Sequence, residues 1–127
     1  MFNYTLHEIL YNYLVKFTEI SPFGSNVRFD IVAIKRGAKR EVRIYEIKSG
    51  RHDFISDKKW KKYLPYCTQF AFVCPQQSIK VEEIPKGIGL IEVYRNCNGI
   101  IDHNYIKKCS RLQDHIPDKK YIMLLEG

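Results

Sequence analysis

Three side chains in this sequence have types and spacing suited to phosphate chemistry: Asp30, Glu46 and Lys48. Glu46 and Lys48 are separated only by Ile47, inside a β-branched run at 41–48, and Asp30 lies in a similar run at 27–34. The basic segment between the runs contains Gly37, so turn chemistry sits between two strand-like stretches, which signals a hairpin. Side chains two apart on a strand share a face, so Glu46 and Lys48 project together. A hairpin turning about Ala38 sets Asp30 directly opposite Glu46. The even positions then form one face. Val32, Ile34, Val42 and Ile44 are its apolar half near the turn; Arg28, Asp30, Glu46 and Lys48 are its charged half at the far end. Opposed carboxylates repel unless something positive lies between them. Hard oxygen ligands and few protein contacts favour Mg²⁺, which keeps several waters and often completes its shell from substrate phosphate. The bland alternative is a solvated, salt-bridged hairpin face.

The context of these residues carries a family resemblance. Asp30 followed by Glu46-Ile47-Lys48 matches the D…(D/E)xK signature of the PD-(D/E)XK nuclease superfamily, a short pattern of low specificity. Ser49-Gly50-Arg51-His52-Asp53-Phe54, then Asp57-Lys58-Lys59-Trp60 and Tyr63, is more specific and resembles the MmcB-like DNA-repair nucleases. Tyr66-Cys67, Phe70-Ala71-Phe72-Val73, Ile84-Pro85 and Gly89-Leu90-Ile91 resemble the same family's downstream segments, so the likeness runs from about Glu19 to Ile91. One departure is that Ser25-Asn26-Val27 and Arg28-Phe29 bring no proline before the aspartate.

The resemblance implies an α/β protein with a restriction-endonuclease-like core: a central mixed sheet of four to five strands flanked by helices. It implies Mg²⁺ or Mn²⁺ held by Asp30, Glu46 and the Ile47 backbone carbonyl, with Glu19 or Glu8 as an accessory acid. Glu8 also suits a capping box with Thr5, and Glu19 better matches the glutamate that precedes the first strand in MmcB-like sequences. The implied activity is metal-dependent hydrolysis of DNA phosphodiesters in repair or recombination. Asp30, Glu46 and Lys48 are then catalytic, with Lys48 orienting the attacking water or stabilising developing charge. A catalytically silent DNA-binding module with the same fold is the competing reading.

Charge supports a polyanionic partner. The 127 residues carry 21 Lys and Arg against 14 Asp and Glu, a net charge of +7, and a basic excess on a small protein favours nucleic acid. Residues placed to contact DNA are Arg28 and Ser49 near the acids, Lys35, Arg36, Lys39 and Arg40 at the hairpin tip, and Lys58, Lys59, Lys62 and Tyr63 beyond it. In related nucleases a polar residue and a tyrosine at the spacing of Lys59 and Tyr63 flank the active site. Trp60 reads as a core anchor rather than a base-stacking platform. A homodimer stays open, since a junction-cutting enzyme needs two symmetric sites.

The elements that must position these groups follow. At this length one domain is expected, with 45% hydrophobic residues to fill its core. No apolar run approaches a membrane span and no signal-peptide pattern opens the chain, so a cytoplasmic location is expected. Residues 5–17 show helical periodicity, with Leu6, Ile9, Leu10, Tyr13, Leu14 and Phe17 on one face. Residues 53–63 read as a second helix, in which Asp53 and Asp57 pair with nearby lysines or orient Lys48. Residues 68–74 form an apolar strand covered on both faces and ended by Pro75. Residues 81–85 read as a linker with a short extended piece, and 88–94 as a further strand. The strand after the second helix is expected to run parallel to its neighbour. Beyond Val93, Asn98-Gly99 marks a turn and 118–125 a terminal helix or strand. Cys67, Cys74, Cys97 and Cys109 fit buried thiols better than a zinc site built from Cys97, His103, Cys109 and His115, whose spacing is unlike structural zinc.

Overall fold

The computed structural model describes residues 15–21, 27–35 and 40–126. Six strands lie side by side in chain order: β1 (Val15–Ile20), β2 (Phe29–Lys35), β3 (Glu41–Ile47), β4 (Gln69–Pro75), β5 (Gly89–Arg95) and β6 (Ile101–Lys107). The sheet therefore exceeds the four to five strands expected, and it is mixed. The pairs β1–β2, β2–β3 and β5–β6 are antiparallel, while β3–β4 and β4–β5 are parallel. Parallel neighbours need a crossover. The first crossover carries helix α1 (Arg51–Ser56) and a 3₁₀ helix (Trp60–Tyr66); the second carries a 3₁₀ turn at Val81–Glu83, where the sequence suggests a short extended piece. Helix α2 (Asp118–Glu126) closes the described chain. Among the described residues no helix is long and apolar enough to cross a membrane.

The sheet has one core on each face. Val32, Ile34, Val42, Ile44, Phe70, Phe72 and Leu90 are completely buried on the first face, under Tyr63, Tyr66, Ile116 and Leu124. Ile31, Ala33, Tyr45, Ala71, Val73, Ile91 and Val93 are buried on the second. Central β4, sequence QFAFVCP, is buried at six of its seven positions, as expected of a strand covered on both sides. Aromatic rings meet edge-on over the first face: Trp60 lies 5.2 Å from Phe72, and Phe54 lies 5.3 Å from Phe72. Edge-on geometry places the positive ring edge against the negative face of its partner. Trp60 is thus a half-buried core residue, as its type suggests.

Two expectations need correction, and the tail supplies an element that the sequence does not signal. The helical periodicity of 5–17 does not hold to its end, because Val15, Lys16 and Phe17 belong to β1 and pair with Ile34, Ala33 and Val32; the rest of that segment lies outside the described residues. The helix expected over 53–63 is two shorter pieces. The Asp57 carboxylate accepts the N–H groups of Lys59 at 2.7 Å and Trp60 at 3.2 Å, and such local bonds compete with helix continuation. The poorly readable tail supplies β6, joined to β5 across a turn where Gly99 takes φ 76°, a left-handed conformation glycine adopts without strain.

Candidate functional site

The hairpin register brings the acids together. Ile31 faces Tyr45, Val32 faces Ile44 and Lys35 faces Glu41, the register of a turn about Ala38. Continued by one residue, it sets Asp30 across from Glu46. Asp30 Oδ2 accepts the backbone N–H of Ile47 at 2.8 Å, which locks the aspartate against the end of β3.

Glu46 is 6% exposed, and its Oε1 is sequestered with no hydrogen-bond partner. Burial, reinforced by Asp30 beside it, pushes its carboxyl up to about 9, against the opposing pull of Lys48. An isolated buried carboxylate is costly. Glu46 therefore favours its neutral form near pH 7, even with the Lys48 ammonium 3.9 Å from its Oε2.

Lys48 is also buried, at 5% exposure, one residue past β3. Its backbone N–H donates to Val73 O at 2.8 Å, so β4 fixes its position. Its Nζ lies 2.5 Å from Asp57 Oδ2, 3.9 Å from Glu46 Oε2 and 3.9 Å from Asp53 Oδ1. The ammonium thus sits among three carboxylates and bonds most closely to Asp57. Burial works against the Asp57 charge, but Lys48 and the N–H groups of Lys59 and Trp60 outweigh it and hold that carboxyl below its usual range. Asp53 accepts the Ser49 backbone N–H at 2.9 Å and the Ser49 hydroxyl at 3.2 Å, closing the loop that leads into α1. The sequence leaves the roles of the two aspartates open; the tertiary structure gives Lys48 chiefly to Asp57.

Tyr63 corrects an expectation. It is 8% exposed, with its ring edge-on to Phe29 at 5.1 Å, so it does not present itself to a DNA backbone. Burial pushes its phenol up to about 12, and Glu46, Asp57 and Asp30 add to the shift, which places its hydroxyl with the acid cluster. Arg28, Lys58, Lys59 and Lys62 are exposed, as is Ser49, and Lys35 is exposed at the end of β2. Arg40 stacks over the Tyr121 ring at 3.7 Å from its centroid, drawing it toward α2. Arg36, Lys39 and Glu8 lie outside the described residues. Glu19 lies on β1, next to β2.

Asp30 and Glu46 place hard oxygen donors side by side, and Glu46 Oε1 lacks a partner. That donor chemistry fits a divalent cation that keeps most of its waters. Among the described residues no group of three or more His, Cys, Asp or Glu is placed to hold a metal. Side chains would supply two ligands, with the Ile47 carbonyl, water and substrate as the remaining sources. The Cys97, His103, Cys109 and His115 set does not form a metal site either; Cys97 is exposed, while Cys67 and Cys74 are buried free thiols.

A mixed-sheet α/β protein with a half-buried aspartate, a buried glutamate and a buried lysine at its strand ends is the class these features define. The family model described as "DNA repair protein MmcB-like" matches residues 6–113, and the chain belongs to the MmcB-like family. A solved protein of unknown function from Silicibacter pomeroyi, SPO1766, is similar in fold, with a TM-score of 0.71 and 21% identity over 96% of this chain and 76% of that one. A comparison with curated proteins finds no match.

Proposed function

We propose that this protein is a metal-dependent DNA nuclease with a restriction-endonuclease-like core, acting in DNA repair. The observation that carries the reading is the buried Glu46 carboxyl, with Oε1 unpartnered, beside Asp30 and Lys48. Membership of a DNA-repair family supports DNA as the partner, and the net charge of +7 suits a polyanion.

Asp30 and Glu46, with the Ile47 carbonyl, would hold Mg²⁺ or Mn²⁺. A divalent ion there supplies Lewis-acid polarisation of a phosphoryl oxygen and lowers the pKa of bound water. A cation held there would favour the ionised form of Glu46, which would tie metal affinity to pH. Lys48, fixed by Asp57 on one side and β4 on the other, presents its ammonium where charge develops on the phosphate. Preorganised charge of this kind needs no rearrangement during reaction. The Tyr63 hydroxyl lies with the acids and helps orient Glu46. Exposed Arg28, Lys58, Lys59 and Lys62 contact the phosphate backbone around the centre and set register rather than sequence.

The test is cleavage of labelled single strands, flaps, junctions and damaged duplex in Mg²⁺, Mn²⁺ and EDTA, by wild type and by Asp30→Ala. The expected result is cutting of at least one substrate with metal, none in EDTA, and loss in the variant. Equal cutting by Asp30→Ala overturns the assignment. Tight DNA binding with no cutting in either metal identifies a binding module instead.

A further inference from the structure

The edge of the sheet at β6 is open to pairing. Strand β6 ends the strand order, so β5 is its one neighbour among the described strands. Its hydrogen-bonding phase follows from the turn before it. The Asn96 N–H donates to Ile100 O at 2.8 Å, which makes Asn96 and Ile100 a bonded pair. Bonded and non-bonded pairs alternate along an antiparallel ladder. Tyr94–Asp102 and Glu92–Asn104 are then bonded pairs, and the main-chain groups of Ile101, His103 and Tyr105 point away from β5. The His103 N–H agrees with this phase, since it donates to the Asp102 carboxylate at 2.7 Å. Such an edge is a template for another strand unless charge, proline or twist guards it. Here the charged side chains are engaged within the chain. Lys107 Nζ donates to the Ile84 and Pro85 carbonyls, at 3.1 and 2.7 Å, and Asp102 holds the His103 N–H. Ile100, Tyr105 and Ile106 stay exposed at the same edge.

We propose that β6 pairs with β6 of a second copy of this chain, antiparallel about a two-fold axis at His103, to form one continuous sheet. Strand geometry selects the register. Ile91 faces Tyr105 but Leu90 faces Lys107, so Ile106 is an extra residue that twists the strand end. The regular stretch is therefore Ile101–Tyr105, and His103 is its midpoint. A two-fold axis there sets Ile101 of one copy opposite Tyr105 of the other, and Asp102 opposite Asn104. Apolar side chains meet apolar ones and carboxylate meets amide, each twice by symmetry. Ile100 and Ile106 come together at each end of the seam. On pairing, the His103 N–H passes from Asp102 to the main chain of the other copy, and the carboxylate takes the Asn104 amide. Other registers fit worse. An axis at Asp102 opposes two carboxylates, and an axis at Tyr105 sets Lys107 against His103. An axis at Asn104 sets Lys107 against Ile101 and Asp102 against Ile106. A second copy fits better than an unrelated strand, because the same five residues supply both sides of every pair. Strands β4 and β5 separate the seam from β3, so the Asp30–Glu46 site stays open and the pairing does not depend on the nuclease reading. The seam is short, so dissociation in the micromolar range is expected.

Sedimentation equilibrium of the full chain, in moderate salt that screens the +7 of each copy, tests this over a concentration series up to about 1 mM. A monomer–dimer equilibrium is expected. With rising concentration the Ile101 and Tyr105 amides should exchange more slowly with solvent, while the Asp102 amide, already bonded to β5, should not change. A wild type that stays monomeric throughout overturns the proposal. Two double variants test the register. Ile101→Lys with Tyr105→Lys, and Ile101→Glu with Tyr105→Glu, oppose like charges at both pairs and should each weaken self-association by about tenfold or more. Mixed one to one, they should dimerise again, because lysine then faces glutamate. Either variant dimerising as tightly as wild type, or no recovery when folded variants are mixed, overturns the proposal. If the variants fail to fold, hydrogen exchange of the wild type decides: Ile101 and Tyr105 amides indifferent to concentration overturn it.

Discussion

A single strand serves both faces of the sheet with opposite chemistry. On the first face β3 runs Val42, Ile44, Glu46: two completely buried apolar residues, then a buried acid whose neutral form is favoured. On the second face it runs Glu41, Arg43, Tyr45: a carboxylate, a guanidinium and a buried phenol beside a cavity. Both faces bury polar groups, but they settle the cost differently. The first gathers Glu46, Asp53 and Asp57 around one ammonium, and burial favours the neutral form of Glu46. The second sets the Arg43 guanidinium beside both the Glu41 carboxylate, 3.7 Å away, and the buried Tyr45 phenol.

The largest effect that tests this contrast is on catalysis. Glu46→Gln or Lys48→Met should lower metal-dependent DNA cleavage by about a thousandfold or more, because groups acting as a unit fail together. Lys108→Glu, on the opposite face, should leave the chemical step near its wild-type rate in single-turnover assays.

Stability effects come next. Phe72→Ala removes a ring packed against Phe54, Trp60 and Phe70. It should cost about 3–5 kcal/mol in urea denaturation. Asp57→Ala strips the closest partner from a buried ammonium and should cost about 3 kcal/mol. Its signature is rescue of part of that loss by the second change Lys48→Met, which a merely local packing role for Asp57 would not show.

A pH series sharpens the comparison. The folded Glu46 carboxyl, pushed up to about 9, lies above its usual unfolded value. The folded state then holds the proton more tightly than the unfolded state. Its contribution is fully present below the unfolded pKa and is lost as pH rises toward about 9. In metal-free protein, Glu46→Gln should flatten the decline of stability across that window and raise stability at its upper end. A divalent ion bound to the wild type should do the same. The smallest effect is expected on the second face: Gly89→Ala presses a methyl against the Cys109 backbone. It should cost about 1–2 kcal/mol while shifting the Tyr105 and Cys109 amides.

Much of the first face was legible in the sequence. Strand alternation with a turn about Ala38 yields the observed β2–β3 register, hence the meeting of Asp30 with the end of β3. The apolar runs of β4 and β5 were visible because central strands are covered on both sides. Edges and interruptions were not. Strand β6, IDHNYIK, is half-exposed and reads as polar, since an edge strand needs little apolar surface. At 15–17 the apolar residues fit a helical and a strand period alike, and pairing with β2 decided. The break after α1 depends on Asp57 finding the N–H groups of Lys59 and Trp60 together with the Lys48 ammonium.

Residue order determined which side chains share a face of the hairpin, because alternation and register are local properties of neighbouring strands. It also determined the positive charge and the family. Tertiary structure alone decided that Asp57, rather than Asp53, takes Lys48, that Tyr63 turns inward, and that Arg43 meets Tyr105 across two intervening strands. Those choices rest on contacts between segments distant along the chain, and burial, which sets their energies, exists only once the sheet has closed.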